Sequence, residues 1–148
     1  MKTYKKIIFT LILAVSFSSA ALATGNNDLI RAVKASDFTS AVVLLDKGMN
    51  PNVIESGMSP LMIASRNGET KLARTLLAFG ADVNLRNDDG TTALMLAARH
   101  GHTDVVDALL KAGADAELRN SRGYTSEDLA RMFKHEQALN LLRQTNMR

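Results

Sequence analysis

Gly57, Gly90 and Gly123 stand at a constant interval of 33 residues, and each is followed two places later by a hydroxyl residue, Ser59, Thr92 or Thr125. A period of that size restricts the chain to architectures in which short supersecondary units stack on one another. The stretch 88–120, DDGTTALMLAARHGHTDVVDALLKAGADAELRN, carries one whole unit.

Within it, Asp89-Gly90 predicts a tight, hairpin-like tip, because glycine accepts the positive φ such a turn demands. Thr92 then predicts the N-cap of a helix over 93–99, and Ser59 with Pro60 gives the same signal one unit earlier. Leu94, Ala97 and Ala98 form an apolar face whose small side chains let other helices approach closely. Gly101 interrupts the chain, and Asp104 suits the start of a second helix over 103–112 with Val105, Val106, Leu109 and Leu110 as its buried stripe. Gly113, like Gly80, predicts a left-handed cap. Helices this short do not stand alone in water, so each unit must bury its apolar face against its neighbours.

These residues resemble the ankyrin repeat: GMSPLMIAS over 57–65 and GTTALMLAA over 90–98 follow its G-x-T-P-L-H-x-A-A pattern. LLAFGAD over 76–82 and LLKAGAD over 109–115 follow its LL-x-x-G-A-D. The resemblance implies an all-α solenoid of four helix-turn-helix repeats with β-hairpin-like loops, at about 27–54, 55–87, 88–120 and 121–148. Met62 and Met95 replace the family's usual histidine, which implies an array less stable than the consensus. The first unit reads as an N-terminal cap, with Leu29, Ala32 and Val33 in core positions and Leu44, Leu45 and Gly48 matching Leu76, Leu77 and Gly80 at an offset of 32. Its connection from Gly48 to Gly57 is one residue shorter than the later ones, so its tip is expected to be displaced. In the last unit Lys134 stands where Gly68 and Gly101 stood, and Glu127 and Asp128 replace apolar residues, as a terminal cap requires.

The segment 1–23, MKTYKKIIFTLILAVSFSSAALA, has a basic head, an apolar run over 7–17 and a small-residue end at Ala21-Leu22-Ala23. It reads as a secretory signal peptide cleaved before Thr24, its apolar run being well short of the roughly 20 residues that span a bilayer. The lysine-rich head resembles bacterial export signals, and with no cysteine for lipid attachment the expectation is a monomeric periplasmic protein, comprising 24–148, without a stable membrane anchor. The same absence of cysteine excludes disulfides, thiolate metal sites and a cysteine nucleophile. Lys2, Lys5 and Lys6 lie in the leader, and without them 15 basic residues face 15 acidic ones. No surplus positive charge remains to drive nucleic-acid binding.

The sequence shows no G-x-S-x-G, no P-loop and no paired catalytic carboxylates, so no enzyme is expected. A calcium loop around Asn87-Asp88-Asp89-Gly90 fails, because Leu85 and Leu96 fall where carboxylates are needed. His100, His102 and His135 do not form a convergent metal set, and no metal or cofactor is expected. What remains is an unidentified protein partner. The resemblance places its binding surface on the tips, here Glu55, Met58, Asp88, Asp89, Thr91, Arg122 and Tyr124, and on the ends of the first helices, here Arg66, Asn67, Arg99, His100, Met132 and Phe133. Arg66 and Arg99 are expected to stack as a basic column with an apolar end at Tyr124, Met132 and Phe133, residue types enriched in binding hot spots. Some small exported bacterial ankyrin proteins that this chain resembles are associated with catalase support and peroxide resistance. The alternative is an immunity protein that neutralises a toxin in the periplasm.

Overall fold

The computed structural model describes residues 19–146; the basic head and apolar run of the expected leader lie outside them. Eight helices follow one another among the described residues: α1 (Ser19–Lys34), α2 (Phe38–Asp46), α3 (Pro60–Asn67), α4 (Thr70–Ala78), α5 (Ala93–His100), α6 (Thr103–Lys111), α7 (Ser126–Met132) and α8 (Glu136–Asn146). They pair as α1·α2, α3·α4, α5·α6 and α7·α8, one antiparallel pair per repeat. Helices α1, α3, α5 and α7 pack successively into one row, and α4, α6 and α8 pack into a second. The result is an all-helical solenoid of four stacked pairs. Helix α1 runs continuously through the expected cleavage point between Ala23 and Thr24.

Hydroxyl caps fix where the first helix of each later repeat begins. The Ser59 Oγ accepts from the Met62 N–H at 3.2 Å, and the Thr92 Oγ1 accepts from the Met95 N–H at 3.3 Å. Thr125 and Asp128 make the reciprocal version, each side chain taking the other's backbone N–H. Helix α5 ends one residue beyond the expected position, at His100, and α6 one residue before it, with Ala112 as its cap.

The core runs unbroken from Leu29 to Leu142, with Ile63, Leu76, Leu94 and Leu109 almost wholly inaccessible to solvent. Met62 and Met95 are fully enclosed where the family's histidine would hydrogen-bond, so apolar packing replaces a polar contact at those points. Val105, Val106 and Leu109 are buried as expected, whereas Leu110 is only half-buried. It lies with Leu141 at the rim between α6 and α8, and Ala108 is the further residue α6 buries.

Two polar ladders hold the repeats in register. The His102 Nε2–H donates to the Arg66 carbonyl at 2.9 Å, and the His135 Nε2–H donates to the Arg99 carbonyl at 3.0 Å. Each imidazole lies flat over the left-handed glycine that ends the helix it caps: a Cβ on Gly68, at φ +77°, would sit 2.6 Å from His102 Nδ1. Glycine is therefore needed there for space as well as for conformation. In the first and fourth repeats Ser36 (φ 56°) and Lys134 (φ 60°) take the left-handed position, with no imidazole stacked on them among the described residues. Ser36 receives Glu69 of the next repeat, its hydroxyl donating to Oε1 at 2.5 Å.

The second ladder is built on asparagine. Asn52 donates to the Gly80 carbonyl at 3.1 Å and accepts from the Asp82 N–H at 2.7 Å; Asn84 does the same one repeat later with Gly113 and Asp115. The corresponding residue in the next copy is Glu117, which carries no amide to make the pair of bonds.

The tips differ as the shortened first connection requires. Glu55 and Met58 exchange both backbone hydrogen bonds at 3.1 Å around Ser56 and Gly57, which have consecutive positive φ values of 52° and 73°. That is a two-residue hairpin of the I′ kind. The later tips carry one more residue, closing from the Asn87 N–H to the Thr91 carbonyl and from the Asn120 N–H to the Tyr124 carbonyl.

Candidate protein-binding face

The tips and the C-terminal ends of the first-row helices lie along one edge of the stack, and the asparagines that open the later tips set their shape. Asn87 Oδ1 accepts from the Thr91 N–H at 2.8 Å, and Asn120 Oδ1 accepts from the Tyr124 N–H at 3.0 Å. Asn87 also donates to the Gly57 carbonyl at 2.9 Å, and the Ser121 N–H donates to the Asp89 carbonyl at 2.8 Å. Each tip is thereby tied to the one before it, and the edge is a continuous surface.

At the last two repeats this edge encloses a cavity of about 170 Å3 lined by Asp89, Thr91, Arg99, Arg122, Tyr124, Met132 and Phe133, with Met95, Leu96 and Leu129 behind them. The Arg99 guanidinium lies over the Phe133 ring, 5.1 Å from its centroid, so the arginine is held by a cation–π contact. Met132 is 51% exposed and Phe133 43%, high for such large apolar side chains at a chain's well-packed end. Of this lining, Asp89, Thr91, Arg99, Arg122, Tyr124, Met132 and Phe133 were legible in the sequence as binding candidates, whereas Asn120, Met95, Leu96 and Leu129 were not.

The remaining candidates sit elsewhere on the edge. Glu55 and Met58 form the first tip, where Met58 is half-buried against the core rather than free to meet a partner. Asp88 is exposed on the second tip, and Arg66 and Asn67 are exposed at the end of α3, the Asn67 amide donating to Glu69 at 3.2 Å. His100 is exposed at the end of α5, its ring stacked on that of His102 at 6.2 Å. Its partial burial pushes its pKa below the usual histidine value, and the positive charges of Arg99, His102, Arg66 and His135 push it further down. Arg66 and Arg99 therefore act on the same point of this face.

His135 is a residue whose role the sequence obscured. It occupies the position of His102 and does the same structural work, but Lys134 before it hides the Gly-His pair that marks the earlier copy. Among the described residues no group of three or more His, Asp or Glu side chains converges as a metal set, and no helix is long and apolar enough to cross a membrane.

A family model described as ankyrin repeats matches the chain three times, over residues 4–87, 29–120 and 76–147. A stretch of 61 residues is 39% identical to an ankyrin repeat-containing protein of Schizosaccharomyces pombe, covering 39% of this chain and 30% of that protein. The matched region thus spans under a third of that relative's length. The repeat spacing, the stacked helix pairs and the family match across nearly the whole chain agree, and the protein belongs to the ankyrin-repeat family.

Proposed function

We propose that the chain is an exported, non-catalytic array that holds a protein partner across the tips and first-row helix ends of its last three repeats. Ankyrin arrays are protein-interaction modules, and the observation that favours this part of the edge is the clustering of Arg99, Arg122, Tyr124, Met132 and Phe133 around one cavity. Exposed aromatic and arginine side chains beside a recess are the composition of binding hot spots. Affinity capture from a periplasmic extract, with residues 24–148 as bait, is expected to retrieve a partner. Replacing Arg66, Arg99 and Tyr124 together is expected to abolish that capture while the circular dichroism spectrum stays unchanged; undiminished capture would move the site elsewhere.

Export rests on the basic head, short apolar run and Ala21-Leu22-Ala23 end of the leader. The expected periplasmic product begins Thr-Gly-Asn-Asn, and a chain retained in the cytoplasm with its leader intact would overturn that part of the proposal. Within it, the resemblance to small exported ankyrin proteins favours an accessory role in support of catalase. A strain lacking this chain is then expected to lose catalase activity and peroxide resistance together, and normal values of both would remove that role.

A further inference from the structure

We infer that this edge of the stack takes an extended acidic segment of the partner, its carboxylate side chains resting on the arginines and one bulky apolar side chain seated in the cavity beside Tyr124, Met132 and Phe133. The inference deepens the binding reading above and rests on it. Its basis is the distribution of arginine partners. Arg31, Arg119, Arg131 and Arg143 each pair with a carboxylate, and Arg86 donates to the Arg119 carbonyl at 2.8 Å. Among the described residues Arg66, Arg99 and Arg122 pair with none, although all are exposed, and they share one edge of the stack. Arg74, on α4 in the other row, is likewise without a carboxylate and stands apart from them.

An isolated surface guanidinium is simply hydrated, but neighbouring ones raise one another's energy. The charged groups acting on His100 are Arg99, His102, Arg66 and His135, all bases, so Arg66 and Arg99 share one basic field at that point. The chain beyond the leader carries 15 charges of each sign, so this field is an arrangement and not a surplus. Acidic groups border it on the tips, Glu55 and Asp88, and Asp89 at the cavity wall itself. A uniformly anionic polymer such as a nucleic acid would meet these groups unfavourably, whereas a peptide can place carboxylates on the arginines alone.

The spacing of the rungs adds a constraint. Stacked helices lie about 8–10 Å apart, and an extended chain advances about 3.3 Å per residue. Carboxylates three residues apart therefore reach Arg66 and Arg99, and an apolar side chain about three residues further on reaches the cavity. At about 170 Å3 that cavity is below the roughly 300 Å3 of small-molecule pockets and seats one side chain.

The probe is an end-blocked, fluorescein-labelled peptide, Gly-Asp-Ser-Gly-Asp-Ser-Gly-Leu-Ser-Gly, followed by anisotropy against the purified protein at low salt. Saturable binding is expected, weakened at least fivefold when both Asp residues become Asn, when Leu becomes Ser, or in the Arg99→Gln and Arg122→Gln variants with unchanged circular dichroism. Arg74→Gln is expected to bind as the parent does. Equal binding of the Asn peptide, full displacement by inorganic phosphate at matched ionic strength, or no saturable binding would overturn the inference. If any of these occurs while the triple variant still loses its captured partner, the acidic-segment inference falls and the docking reading stands. If capture is also insensitive to the triple change, both fall.

Discussion

Ser65 lies in α3 with its hydroxyl fully buried and, among the described residues, no hydrogen-bond partner. Ala98 occupies the same place in α5 and leaves nothing unsatisfied. A buried hydroxyl that has given up water without a replacement destabilises the fold, so Ser65→Ala is expected to raise the unfolding free energy by about 1 kcal/mol; a lower urea midpoint would show that the hydroxyl is bonded after all. Asp128 is the opposite case. The Thr125 N–H holds its carboxyl below the ordinary 3.8, aided by the Thr125 hydroxyl and by Arg131 and Arg119, and burial opposes them only in part. A folded-state pKa below the unfolded one means that this stabilisation is complete above the unfolded value and is lost as pH falls through the folded one. Asp128→Asn is therefore expected to flatten the loss of stability below about pH 4, seen in urea midpoints measured across that range. At this scale the sequence disclosed what depends on local chemistry, such as the Ser59 and Thr92 caps and the glycine turns. It concealed Asn52 and Asn84, whose amides act on a neighbouring repeat and make no local pattern, although their 32-residue spacing was the available signal.

A helix pair in this array is stable only through its neighbours, so changes in one helix are felt in two interfaces. Leu109, completely buried in α6, packs within the common core, and Leu109→Ala is expected to cost about 2–5 kcal/mol and to lower a single cooperative transition; a cost under half a unit would contradict its placement. Asn84 tests the interface without touching the core. Its two bonds to the Gly113 carbonyl and Asp115 N–H join the second repeat to the third, and Asn84→Ala is expected to cost about 1 kcal/mol by removing both bonds, the exposed partners returning to water. Glu117→Ala, at the matching position and with no such side-chain bond among the described residues, is the control and is expected to stay within about half a kcal/mol. The helices themselves were legible because period and caps coincide, with ends displaced by one residue where the sequence alone marks no boundary. The one element misjudged in burial was the outer part of α6: Leu110 continues the apolar run, yet the position of α8 leaves it at a rim.

Across the whole molecule the array is legible because each repeat restates the same residues, and the candidate binding edge is legible only by analogy. Nothing in a single repeat says that Arg99 will rest on Phe133, because that contact joins the third repeat to the fourth. The same non-locality holds within the fourth repeat. Glu127 pairs with Arg131 and with Arg143 at 3.2 Å, so one carboxylate ties α7 to α8. The glycine–imidazole junction has a final consequence for how such a chain can lengthen. The first repeat offers neither half of that junction, the second only Gly68, and the fourth only His135, whereas 88–120 holds both Gly101 and His102. That segment alone can follow itself. A gene in which it is duplicated, with Glu117→Asn in the upstream copy to complete the asparagine bond, is expected to encode a longer protein that unfolds at higher denaturant concentration with a steeper transition. Growth of this lineage would then proceed from the interior outward, with both termini carried along unchanged.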